Sequence, residues 1–274
     1  MFDWYRLASN RLALIGAAIV AIVLVAGLLA PVIAPDDPIK ITPHALAPPS
    51  GRHLFGTDDL GRDVFSRVLY GARISPLVGL LAVAISALAG VTMGLASGYA
   101  GGPVDNVIMR IVDVLLSFPG IVLAIGIVAI LGPGLNNALL AVGIAGIPTF
   151  ARVVRGSVLV EKEKEYVDAA RLLGAPTPRI IVLHILPNVL APVIVLSTLS
   201  VAAAILAAAA LSFVGLGAQL PTPEWGAMLS QGRNYLANQW WVATFPGLAI
   251  ALTVLGVNLL GDGLRDVLDP RLRT

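Results

Sequence analysis

Long stretches of this chain carry no charged side chain, and nothing else in the sequence limits its fold as strongly. Between Arg11 and Asp36 lie 24 residues without an acidic or basic group, and comparable gaps run from Arg73 to Asp105, Asp113 to Arg152, Arg179 to Glu224 and Arg233 to Asp262. Each can supply the roughly 20 apolar residues that a helix needs to cross a bilayer's hydrocarbon core. A soluble domain of ordinary composition is roughly a quarter charged; this chain is 12% charged and 57% hydrophobic, with a mean hydropathy of +0.89. The bilayer is the solvent here, and in lipid the backbone must satisfy its own hydrogen bonds, which points to an all-α, polytopic membrane protein. A net charge of +2 gives no support to nucleic-acid binding, and the absence of cysteine removes disulfides, thiolate metal sites and a cysteine nucleophile.

Proline, glycine and charge divide the apolar runs into six predicted spans. A polar lead, 1–10, carries a Trp4-Tyr5-Arg6 cluster suited to the headgroup zone. The first span, 11–34, is too long for a signal-peptide core, and Pro31 and Pro35 stand where small cleavage-site residues belong, so it reads as a retained helix. An outer loop, 35–72, follows. Within it the Gly56–Gly61 turn, with Asp58 or Asp59 as a cap, predicts a short interfacial helix over Val64–Tyr70. The other spans are predicted at Ile74–Tyr99, at Val107–Leu131 with a kink at Pro119, and at Asn137–Ala151, Asn188–Val214 and Trp241–Leu260. A core membrane domain is expected at 73–262, with a polar loop at 152–187, and 263–274 is expected as a charged tail. Six crossings put both termini on one side. That side carries twelve of the Lys and Arg residues and the other six, so both termini and the 152–187 loop are expected in the cytoplasm.

Gly90, Gly94, Gly98 and Gly102 recur every four residues and so share one helix face. Such a face lets another helix approach closely, in this subunit or a partner. Asp113, three residues after Arg110, is either a functional acid within a span or half of an Arg110–Asp113 pair near the interface. His44, His53 and His184 have no partner at metal-ligand spacing, so no metal site and no cofactor are expected. Glu224-Trp225, Tyr235 and Trp240-Trp241 read as an aromatic belt at the outer surface. Neither His-Glu-x-x-His nor Gly-x-Ser-x-Gly occurs, which leaves membrane hydrolysis without support. The only lysines are Lys40, Lys162 and Lys164, and none follows a glycine, so no phosphate-binding P-loop is present and the chain is not expected to be an enzyme.

The stretch from Arg152 to Asn188 is the most informative. Glu161, Glu163 and Glu165 open a helical pattern and Arg171 stands near its end, the arrangement that a helix dipole favours. Tyr166, Ala169, Ala170 and Leu173 fall on one narrow face with small residues in its middle. Gly174 is a natural C-cap, and Pro176 and Pro178 stop the helix. A second short helix, about Arg179 to Ile185, is expected to end at Leu186-Pro187. A short helix with a small-residue stripe, held between membrane spans, has the form of a docking element.

Asp168-Ala169-Ala170, Gly174 and Leu186-Pro187 also resemble, at the right spacing, the cytoplasmic Glu-Ala-Ala pattern of importer permeases of the ATP-binding-cassette class. Aspartate replaces the pattern's glutamate, and His184 its isoleucine. The runs Phe55–Asp63, His184–Asn188, Leu211–Gly217 and Asn258–Asp266 are similar to the dipeptide and oligopeptide permeases in particular, and the resemblance extends from Asn10 to Arg273. It implies a type I importer permease fold in a bacterial inner membrane. It further implies a second homologous permease, two cytoplasmic ATP-binding subunits or domains, and an extracytoplasmic substrate-binding protein. Di- and oligopeptides are the implied substrates, with nickel and glutathione as alternatives for the same machinery. The resemblance assigns Glu163, Glu165, Tyr166, Asp168, Ala169, Ala170, Arg171, Gly174, Leu186 and Pro187 to ATPase coupling, and it has Glu161, Lys162 and Lys164 pair with the ATPase surface. A stand-alone ion-coupled transporter is the rival class; it predicts internal repeats and several buried acids, and the sequence offers neither.

Overall fold

The computed structural model describes residues 10–268, so Trp4, Tyr5 and Arg6 in the lead and Arg271 and Arg273 in the tail lie outside the described residues. The helices are α1 (Arg11–Ile33), α2 (Val64–Ala100), α3 (Gly102–Leu116), α4 (Gly120–Leu131), α5 (Leu135–Glu161), α6 (Glu165–Leu172), α7 (Thr177–Ile180), α8 (Leu186–Phe213), α9 (Trp225–Gly232) and α10 (Trp241–Leu268). A π turn, Ile181–Ile185, joins α7 to α8, and a 3-10 turn, Arg233–Tyr235, follows α9. No strand occurs among the described residues. Five apolar helical segments are long enough to cross a membrane, and α3 with α4, bent by 93° at their junction, makes six where the pair counts as one span.

The bend is sharper than the predicted kink. Pro119 takes an extended ψ of 132° ahead of α4, and a proline both lacks an N–H and pushes the preceding residue out of the helical region. The predicted interfacial helix does not stand alone. Val64 to Ala100 is one helix of 37 residues, capped by Asp63, whose carboxylate accepts the Ser66 N–H at 2.8 Å. Asp58, one of the two expected caps, is occupied elsewhere, and nothing between Tyr70 and Ile74 breaks the helix. Two further helices outrun their predicted ends, α5 to Glu161 and α10 to Leu268. Leu186-Pro187 does not terminate a helix; the backbone runs on from Thr177 to Phe213 through the π turn.

Close packing centres on α2 and α5, which run in the same direction. A β-carbon added to Gly90, Gly94 or Gly98 would lie 2.4, 2.6 and 2.8 Å from the Cβ atoms of Phe150, Val154 and Val158. Both rows step by four residues, so the ridge of one helix enters the groove of the other. The Ser86 hydroxyl extends the seam by donating to the Gly143 carbonyl at 2.6 Å. The same device joins α1 to α10, where Gly16 lies against Gly256 and Leu260. In lipid, where no hydrophobic effect drives helices together, such small-residue contacts supply the dispersion energy.

Candidate functional site

The polar loop between α5 and α8 is a built structure. Glu165 and Asp168 stand in the first turn of α6 and Arg171 in its last, complementing the dipole. Gly174 takes φ +78°, and the Gly174 and Ala175 N–H groups donate to the Arg171 and Ala170 carbonyls at 2.9 and 3.0 Å. That pair of bonds is a Schellman cap. Val167 and Ala170 are buried in the same apolar cluster as Ile180 and Ile185, which seats α6 on its own subunit. The expectation that Ala170 lies on an outward docking face is therefore corrected: its side chain points into the fold. Leu172 and Leu173 point outward, 89% and 88% exposed, with Glu163, Glu165, Asp168 and Ala169 exposed beside them.

Several charges expected to face a partner are engaged within the chain. Arg171 pairs with Asp168 at 2.8 Å and lies over the Tyr99 ring. Lys162 Nζ donates to the Gly98 carbonyl at 3.0 Å. Glu161 is buried and pairs with Lys164 at 2.7 Å. The Tyr166 hydroxyl donates to Glu161 and accepts from Asn188 Nδ2 at 3.0 Å. Burial, then the bond to Glu161, pushes the Tyr166 phenol up to about 12, so it keeps its proton at physiological pH. Leu186 and Pro187 open α8 directly after the π turn.

A cavity of about 350 Å³ opens beside the α3–α4 bend. Gly120 and Ala124 of α4, Ser86 of α2, Thr149 of α5, and Ser200 and Ala204 of α8 line it. Its wall offers hydroxyls and small apolar groups but no charge. Two ion pairs hold the elements around it. Asp105 takes both nitrogens of Arg155 at 2.6 Å, tying α3 to α5. Asp113 pairs with Arg152 at 2.6 Å, which replaces the expected Arg110–Asp113 pair, because Arg152 reaches Asp113 from α5.

The binding-protein-dependent transport system inner membrane component family matches residues 90–274 of this chain. The chain belongs to that family. The N-terminal transmembrane domain of oligopeptide transport permease C matches residues 3–49. A di/tripeptide transport system permease protein of Pseudomonas aeruginosa is 47% identical over 98% of this chain and 91% of its own length. A glutathione transport system permease protein of Escherichia coli is 48% identical over 98% of this chain and 90% of its own. The fold is that of a methionine ABC transporter chain in an inward-facing conformation, with a TM-score of 0.58 at 20% identity, covering 73% of this chain and 96% of that one. This is a multi-pass inner-membrane permease, and the stand-alone ion-coupled reading fits these relatives less well.

The end of the permease that carries the α1–α2 loop is a polar knot that its sequence conceals. Asp58 accepts from Arg62 Nε at 2.7 Å, and Arg67 lies 3.5 Å away, all three side chains almost wholly buried. His53 Nδ1 lies 3.0 Å from Asp63. Asp36 joins them, with ligand-capable atoms of the three residues within 4.8 Å of one another. His53 thus has carboxylate neighbours that residue spacing did not reveal. The aromatic-belt reading is corrected for two residues. Trp225 is 1% exposed and donates to the Val68 carbonyl, while Trp241 is 7% exposed and donates to that of Thr57. Both belong to the core of this cap.

Proposed function

We propose that this permease is one of two homologous subunits forming the translocation pathway of an ATP-driven peptide importer, with both termini cytoplasmic. Two cytoplasmic ATPase subunits or domains hydrolyse ATP, and an extracytoplasmic binding protein delivers a di- or oligopeptide to the outer cap. The observation that carries the reading is the exposed Leu172–Leu173 end of α6. Two adjacent leucines left in water at the end of a rigidly capped helix need a partner, and a cytoplasmic loop meets one in the ATPase. Glu163, Glu165, Asp168 and Ala169 form the rest of the contact surface. Ala170, Arg171, Gly174, Leu186 and Pro187 hold the helix in place behind it, and Tyr166 links it to α5 and α8. The absence of a P-loop in this chain supports the division of labour. The named peptide and glutathione permeases among the relatives support small peptides as substrates. A mainly apolar cavity wall with a few hydroxyls and no charge suits a cargo whose side chains vary, with selection left to the binding protein.

The test is co-purification of the ATPase with the permease pair from membranes. Leu172→Asp with Leu173→Asp is expected to release the ATPase while the permease pair stays folded. Full retention of the ATPase would overturn the docking reading.

A further inference from the structure

The junction of α6 with α8 carries more than a docking surface requires. In the π turn the Leu186 N–H reaches back five residues to the Ile181 carbonyl. Such turns hold a surplus residue within a helix and recur at functional positions. Pro187 follows directly and contributes no N–H. The His184 carbonyl in the turn accepts Asn188 Nδ2 at 2.8 Å and lies 3.2 Å from the Tyr166 phenol oxygen. Glu161 adds a second anomaly. It is a buried carboxylate at the C-terminal end of α5, where the helix dipole disfavours negative charge. Two donors hold it there, Lys164 on one oxygen and Tyr166 on the other.

The Tyr166 oxygen therefore joins three elements. The phenol O–H donates to Glu161, its oxygen accepts from Asn188 Nδ2, and Asn188 Nδ2 also donates to the His184 carbonyl. We propose that Tyr166 is a positioning residue for energy coupling, the strut through which displacement of α6 reaches the end of α5 and the π turn of α8 together. The π turn is the place where α8 yields. The inference rests on the docking reading above, since displacement of α6 is what an engaged ATPase supplies. Tyr166 keeps its proton at every physiological pH, so the strut is not a pH switch. Seating of α6 does not depend on it, because Val167 and Ala170 anchor the helix through apolar contact.

The test uses the whole complex in liposomes: both permeases, the ATPase, the binding protein, and a radiolabelled dipeptide that the parent complex transports. Tyr166→Phe fills the same space and removes the hydroxyl. It is expected to retain the ATPase and its hydrolysis, while peptide moved per ATP falls about fivefold, the factor for one net hydrogen bond. Glu161→Gln leaves an acceptor for the phenol and is expected to stay within about twofold of the parent, whereas Glu161→Leu matches Tyr166→Phe. A merely structural tyrosine would lower transport and hydrolysis together, leaving their ratio intact. An unchanged ratio in Tyr166→Phe, with the ATPase released by the Leu172→Asp, Leu173→Asp double variant, overturns the strut alone. Retention of the ATPase by the Leu172→Asp, Leu173→Asp double variant overturns the docking reading and the strut with it. Loss of the ATPase from Tyr166→Phe makes Tyr166 a docking residue and also overturns the strut.

Discussion

A β-carbon placed on Gly94 would come within 2.6 Å of Val154 Cβ and 2.7 Å of the Ala151 carbonyl oxygen. A backbone atom cannot step aside, so Gly94→Leu is expected to destabilise the permease by at least the ~1–3 kcal/mol of an overpacked core. Gly156, also on α5, has nothing within 4 Å of an added β-carbon and no left-handed φ. Gly156→Ala should be neutral or stabilising by up to about 1 kcal/mol, since alanine is the better helix former. Thermal unfolding in detergent distinguishes the two. Gly102 is equally open, but its φ of +52° makes it a poor site for any side chain. In the outer knot, Asp58→Ala leaves Arg62 buried without its partner and is expected to cost about 3–5 kcal/mol, read in the same experiment. At this scale the sequence was partly legible. A four-residue glycine period can be seen in one dimension, but the Phe150, Val154 and Val158 row of α5 opposite it cannot. Nor can sequence show that Asp58 serves Arg62 and leaves the cap to Asp63, because both stand in the same acidic turn.

Helix existence was easier to read than helix ends, since a bilayer demands long apolar runs and indifferent caps suffice to stop them. The limits of α2, α5 and α10 depend on charged and polar residues that stay helical because something packs against them. Arg155 lies beyond the predicted end of its span, yet Asp105 holds it there. The elements around the cavity give a differential prediction. The Asp105–Arg155 clamp is bidentate and partly buried, with Ser97 as a third partner. Asp105→Ala is expected to cost about 1.5–3 kcal/mol, the range for hydrogen bonds to charged groups. The Asp113–Arg152 pair is 57% exposed on both sides, and Asp113→Ala should cost less than about 1 kcal/mol. Equal losses of thermal stability in the two variants would mean that the α3–α5 clamp does not hold the broken span. The candidate site followed the same rule. The Schellman cap at Gly174 was legible from Gly174 and the prolines, because it is local. The Tyr166–Glu161–Asn188 junction was not, because its members come together only when α5, α6 and α8 meet.

At the scale of the whole molecule, the remaining question is which side of the membrane each end of the bundle faces. The two ends of the described chain meet, Asn10 Nδ2 lying 3.4 Å from Asp266 Oδ2, so the start of α1 and the end of α10 share a side. Lys162 and Arg171 tie the 162–185 loop to the Gly98–Tyr99 end of α2. The Asp58–Arg62 knot caps the opposite end of the same helix. Twelve cations against six are the sequence's reason to expect the termini in the cytoplasm. The outer loop weakens that bias, because Lys40, Arg52, Arg62, Arg67 and Arg73 all belong to it. Two of these, Arg62 and Arg67, are buried and share the single carboxylate of Asp58. The chain has no cysteine, so single cysteines at exposed positions test the orientation directly. Arg52→Cys is expected to react with a membrane-impermeant maleimide in intact cells. Lys164→Cys should react only after the membrane is opened. The reverse pattern would put α6 outside the cell, where no ATPase could reach Leu172 and Leu173, and the importer reading of the loop would fail with it.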